Sequence, residues 1–174
     1  MLAGLAMAVI AIGCGDRGES RAPGATSSPT EAAATASDFD WQSALAGDPI
    51  EIRDKGQGLI VQMFHPGDAA APPASDDDTV EIEFIARWIG ADGAPTEFDS
   101  SAERGAPLRV PLTEGKAVAG LLRGLEGLRE GDVARIAFPA ALGYGKVGRG
   151  TIPGGAGLEF VLWVRAVAPA GAAP

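Results

Sequence analysis

Between Thr79 and Trp88 the chain sets Val80, Ile82 and Phe84 against Glu81 and Glu83. Alternation with a period of two fits a strand with one buried face and one wet face. The period returns at Leu108, Val110 and Leu112. It returns again at Val133, Arg135 and Ala137 against Ala134, Ile136 and Phe138, and in a last strand through Leu158, Phe160, Leu162 and Val164. Gly58 to Phe64, GLIVQMF, follows a Gly-x-Gly break and reads as a further strand, and a short extended piece ends at Phe98. Asp92-Gly93 and Glu130-Gly131-Asp132 are turn sequences. Only Val118, Leu121, Leu122 and Leu125 follow helical spacing, which predicts a short helix from Ala117 to Arg123. Gly120 and Gly124 limit it, because glycine inside a helix costs about 1 kcal/mol. Many strands and one helix predict an α+β domain, an antiparallel sheet with that helix packed on it.

A chain of 174 residues suits one domain with extras, and 46% hydrophobic residues supply a core. The 25 glycines and 13 prolines are spread along it, so turns are frequent. A formal net charge of −9 argues against nucleic acid as a partner, since phosphates need a basic face. Residues 1–13, MLAGLAMAVIAIG, are apolar and uncharged but too short to span a bilayer, which takes about 20 residues. They read as a signal peptide. Ala11-Ile12-Gly13-Cys14 resembles a bacterial lipobox, in which the chain is cut before a cysteine whose thiol carries diacylglycerol. Ala11 stands where leucine is usual, and no Lys or Arg precedes the apolar run. Cys14 is the sole cysteine, so an intramolecular disulfide is excluded. Residues 14–37 read as the lipidated cysteine and a flexible tether, with membrane attachment through the lipid. Residues 38–57 read as an N-terminal extension, in which Phe39, Trp41 and Leu45 form a short docked helix or simply cover the domain. Residues 58–168 are the domain and 169–174 a tail.

Several arrangements that could carry other chemistry do not. Asp76-Asp77-Asp78 is a solvated turn, because adjacent carboxylates rarely converge on one ion and no glycine-punctuated calcium loop follows. His65, the only histidine, lies in a turn without an evident nucleophile beside it. The glycine-rich stretch from Gly143 to Gly157 lacks the G-K-[ST] ending of a phosphate loop. No metal or cofactor is called for.

Taken in order, the motifs TVEIEF, DG, FDSS, R-x-x-P, V-x-G-L-x-x-G-L, G-L-x-x-G-D, LGYG-x-x-G-x-x-x-IP and LEFVLWV resemble the FKBP-type peptidyl-prolyl cis/trans isomerases from Gly58 to Val167. Each is weak alone, and the ordered set is specific. The resemblance implies a twisted antiparallel sheet wrapped around one short helix, with an apolar pocket between them. It implies catalytic roles for Asp99 and Tyr144, with Arg104 near both, orienting the acid. It implies substrate-binding roles for Phe84, Phe98, Val118, Leu121, Ile152 and Phe160. Tyr144 would aim its hydroxyl at a carbonyl of the bound chain, and Val118 would offer a side chain and a free N–H at the helix start. Read without the family, these aromatics are core. Ser100 and Ser101 read as turn and capping residues.

The chain departs from the family pattern at the pocket floor, where Leu121 replaces the usual tryptophan, and at Phe84, where tyrosine is usual. Leu108 and Val110 stand where phenylalanine is common, and residues are inserted from Ala94 to Thr96. The implied activity is isomerisation of X–Pro bonds in exported, proline-containing polypeptides, weakened by the leucine floor. Macrolide inhibitors would be ligands of the same pocket, and a monomer is the expected state. The alternative is a binding module or holdase chaperone on the same fold, with little or no catalysis.

Overall fold

A computed structural model of the chain describes residues 39–169; the apolar leader, Cys14 and the tether lie outside them. In chain order the strands are β1 (Glu51–Asp54), β2 (Ile60–His65), β3 (Thr79–Ile89), β4 (Pro95–Ser100), β5 (Leu108–Pro111), β6 (Val133–Phe138) and β7 (Gly157–Ala168). A one-turn helix α1 (Ser101–Arg104) follows β4, and α2 (Ala119–Leu125) lies between β5 and β6. The strands form one sheet in the order β1-β2-β6-β7-β3-β4, with β5 also paired to β3, and the pairings are antiparallel. This is the α+β architecture that the alternation predicts. The segment before Gly58 adds a strand to it, since β1 pairs with β2 from Glu51↔Met63 to Asp54↔Ile60.

Alternation decides what each face buries. Val80, Ile82, Phe84 and Ala86 of β3 point inward with Leu158, Phe160, Leu162 and Val164 of β7 and Ile136 and Phe138 of β6. Leu121, Leu122 and Leu125 of α2 pack on this inner face. Across the sheet, Val161 and Trp163 of β7 join Val133 and Phe64 in a second apolar cluster. Trp41 completes that cluster, and the Phe39 ring lies 5.3 Å from both Trp163 and His65. The N-terminal segment therefore covers the outer face. It contains a 3-10 turn at Ser43–Leu45, where Asp40 accepts from the Ser43 amide. Trp163 belongs to this outer layer.

The helix sits two residues later than its spacing predicts. Val118 is extended and acts as the cap, so helical backbone starts at Ala119. Gly124 lies inside the helix. A Cβ on Gly124 would stand 2.4 Å from Ile136 Cγ2, and one on Gly120 would stand 2.3 Å from the Phe138 ring. These two glycines, four apart and on one helix face, are the surface that seats α2 against β6. Their cost in helix propensity is offset by that close approach. At the other end of the helix, Lys55 donates to the Arg123 and Glu126 carbonyls at 2.6 and 2.5 Å, partnering groups the helix leaves open. Among the described residues, no helix is long and apolar enough to cross a membrane.

Asp132 is a buried carboxylate that accepts from the amides of Gly67 and Arg129, each at 2.7 Å. It pins the turn after β2 to the start of β6. Asp76-Asp77-Asp78 forms a turn with Asp77 in the left-handed region and Ser75 donating twice to Asp78.

Candidate active site

A cleft of about 600 Å³ opens between the inner face of the sheet and the start of α2. Phe84, Phe160, Phe98, Leu121 and Val118 form its apolar walls, and Asp99, Arg104 and Tyr144 lie on its polar side. The sheet, the helix and the loop after β6 each contribute, which is why no single stretch of sequence reveals it.

Phe98 and Asp99 are adjacent in β4, and strict alternation would send them to opposite faces. Both line the cleft. The register explains this. Ala86 pairs with Asp99 and Arg87 with Glu97, so Phe98 is an extra, bulged residue. A bulge places two successive side chains on one side. The strand that would otherwise choose between a wall and an acid thereby supplies both.

The short helix α1 returns the chain onto its own strand. Ser100 caps it, accepting from the Glu103 amide, and Gly105 closes it at φ 69°. Arg104 then reaches back five residues to Asp99. Its Nε donates to Oδ1 at 2.7 Å and its Nη2 to Oδ2 at 2.5 Å. A bidentate fork fixes the orientation of a carboxylate as well as its charge. The hydrogen bonds to Asp99 in turn hold the Arg104 guanidinium above its ordinary range. The same guanidinium lies 5.7 Å from the centre of the Phe84 ring.

Ser101 does something that a capping role does not describe. It is buried, and its hydroxyl accepts from the Phe84 amide at 3.2 Å while lying 3.4 Å from the Phe84 carbonyl. It continues the β3–β4 ladder by one side chain and fixes Phe84. Ser101→Ala would strand a buried amide, at a cost of about 1–3 kcal/mol. A fall of several degrees in Tm is the expected result, and an unchanged Tm would show that water replaces the hydroxyl.

Phe160 is the hub of the aromatic wall. Phe84 and Phe138 stack on it at 6.3 and 6.0 Å, and Phe98 meets it edge-on at 6.3 Å. Leu121, 3% exposed, lies at the floor. Val118 stands at the helix start, and no described residue accepts a hydrogen bond from its amide.

Tyr144 follows a 3-10 turn at Ala140–Leu142. Gly143 before it leaves no room for a side chain, since a Cβ there would be 2.8 Å from Leu158 Cδ1. The loop beyond is tied by backbone bonds, Gly148 to Tyr144 and Gly155 to Gly145. The Tyr144 ring carries the Arg149 guanidinium at 5.6 Å, and its hydroxyl has no hydrogen-bond partner among the described residues. Tyr144 and Arg104 share the cleft without a direct bond between them.

Ile152 is the predicted site residue that is not on the lining. It is buried in the core, and exchanges backbone hydrogen bonds with Arg149. Residues that sequence reasoning did not assign to the site are Lys116, Arg149 and Leu108, which the structure brings to the lining. Nothing in their local sequence distinguishes them from solvated loop or strand residues.

The family profile described as FKBP-type peptidyl-prolyl cis-trans isomerase matches residues 71–164. The chain belongs to this family. The peptidyl-prolyl cis-trans isomerase FKBP15-2 of Arabidopsis thaliana is 41% identical over 88 residues, covering 50% of this chain and 52% of that protein. FkpA of Escherichia coli K12, an FKBP-type peptidyl-prolyl cis-trans isomerase, is 34% identical over 119 residues, covering 68% of this chain and 41% of FkpA. The chain thus spans about half, or less, of the length of these relatives. Among solved structures, the crystal structure of FkpA from Escherichia coli superposes with a TM-score of 0.60 at 28% identity, over 79% of this chain and 60% of that one. The N-terminal domain of FKBP42 from Arabidopsis thaliana gives 0.59 at 20% identity, over 67% and 91%, a likeness of fold alone. The antiparallel sheet around a short helix is therefore that of the FKBP family, and the cleft lies between those two parts.

Proposed function

We propose that the domain is a peptidyl-prolyl cis/trans isomerase and that the cleft between sheet and α2 is its active site. One observation carries this reading: an apolar hollow is lined by a carboxylate fixed by Arg104 and by a tyrosine whose hydroxyl has no partner among the described residues. Rotation about an X–Pro bond takes tens to hundreds of seconds unaided, because twisting the amide breaks its resonance. No covalent bond is broken, so neither a nucleophile nor a cofactor is required. An apolar hollow favours the twisted imide, whose resonance charge separation is lost, over the planar forms that water stabilises. Phe84, Phe98, Phe160 and Leu121 would hold the prolyl ring, and Ile152 would back the loop from beneath. Tyr144 would donate to a carbonyl beside the proline, and the Val118 amide would offer a second donor. Asp99 would act in the orientation that Arg104 sets.

An exchange assay on a Leu-Pro peptide tests the activity directly. Isomerisation above background, competed by a macrolide ligand of the family, is the expected result. The leucine floor favours a second reading, a binding module or holdase. Suppression of client aggregation without isomerisation would establish that reading in place of the first. If the floor limits catalysis, Leu121→Trp raises kcat/KM by about three- to tenfold, the range that aromatic packing contributes. No gain would mean that another part of the cleft is limiting.

The clients we propose are exported polypeptides, with the domain held at the cell envelope through a lipid on Cys14. The support is the apolar leader and the position of the sole cysteine. Intact mass of membrane-extracted protein should show a chain that begins at Cys14 and carries diacylglycerol; a free thiol would exclude the anchor.

A further inference from the structure

The described cations divide into three groups. Six arginines form ion pairs with carboxylates. Lys55, Arg123 and Arg129 donate to backbone or amide oxygens. Lys116, Lys146 and Arg149 have neither an ion pair nor a side-chain hydrogen bond among the described residues, and all three are exposed. Lys116 and Arg149 line the cleft, and Lys146 is two residues beyond Tyr144. Among the described residues, Asp99 is the only carboxylate on that lining, and Arg104 already binds it through both oxygens.

In a chain of formal charge −9, unpaired cations would be expected to find carboxylates almost anywhere on the surface. Here two of the three line one opening, and the third follows Tyr144 by two residues. Two of them reach it from separate segments, Lys116 from the turn before α2 and Arg149 from the loop after Tyr144. Arg149 is also stacked over the Tyr144 ring, so its charge is held at the cleft.

We infer that the cleft selects X–Pro segments carrying an acidic residue beside the proline. This rests on the isomerase reading of the site and names the substrate class within it. A peptide seated in the cleft displaces water from between the charges, which strengthens their attraction. At longer range the negative chain repels the same peptide, so the preference is made by contact and is screened by salt.

The test compares peptides with Glu and with Gln placed directly before, and then directly after, a proline. The two residues have nearly the same shape and differ in charge. Two quantities are measured on the whole chain: kcat/KM by NMR exchange and Kd by titration. The expected result is a Glu-over-Gln preference of about three- to tenfold at one flank at low ionic strength. It should shrink toward unity at about 0.5 M salt. The ratio should also collapse in a Lys116→Gln, Arg149→Gln double variant, even where the absolute rates change. Isomerisation of both peptides at equal rates and equal Kd at both flanks would overturn the acidic preference and leave the isomerase standing. A Glu preference in Kd with no isomerisation of either peptide would overturn the catalytic reading and support the preference. A preference unaffected by the double variant would place its origin elsewhere and defeat the inference.

Discussion

Gly120→Ala is expected to destabilise the domain by about 2–3 kcal/mol, although the same change in an exposed helix would stabilise it by about 1 kcal/mol. The two contributions have opposite signs, so the sign of the measurement decides between them. The new Cβ would stand 2.3 Å from both Cγ and Cδ2 of Phe138. Phe138 is buried, and its ring is nearly parallel to that of Phe160, with centroids 6.0 Å apart and an interplanar angle of 11°. Either α2 lifts from β6 or the aromatic stack shifts. Both responses reach the cleft, since Phe160 is one of its walls and Leu121 is the next residue on the helix. Urea unfolding should give a lower midpoint with little change in slope, and thermal unfolding a Tm lower by about 5–15 °C. Gly124→Ala, against Ile136, should behave similarly. A variant as stable as the parent would mean that the helix stands farther from the sheet than the structure has it.

Asp99→Ala is expected to lower kcat/KM for a Leu-Pro peptide by about ten- to a hundredfold, the equivalent of losing one oriented charged group. Stability should change by less than about 1 kcal/mol, because the Asp99–Arg104 pair is partly exposed and the freed guanidinium can turn to water. Tyr144→Phe makes the separation cleaner. The hydroxyl bonds to no described residue, so the fold does not depend on it. Its removal should leave Tm within about a degree while kcat/KM falls about tenfold, one hydrogen bond to a reacting chain. If Tm and activity fell together, the phenol would be a structural group. If neither variant altered the rate, acid and phenol would be bystanders, and an apolar hollow alone would account for catalysis.

The chain's own pattern determined the strands, because a half-buried strand must alternate and Thr79–Ile89 does so at nearly every position. It determined that one short helix packs on a sheet, and the ordered motifs pointed to the family. It also singled out Asp99, Tyr144, Phe98 and Leu121 through the resemblance, and these four residues line one cleft. Other features required partners distant in sequence. That Phe98 and Asp99 face the same way depends on an extra residue in β4 relative to β3, a property of a pairing. That Gly120 and Gly124 belong inside a helix depends on Phe138 and Ile136, which lie in a later strand. Ser101 gained its role from Phe84, seventeen residues earlier. Ile152 lies in the core and Arg149 at the lining because the loop after Tyr144 pairs with itself, while Lys116 reaches the lining from the turn before α2. Period and composition are local properties of a chain. A cleft is made where three elements meet, and the direction a side chain takes there is set by the atoms that already occupy the alternatives.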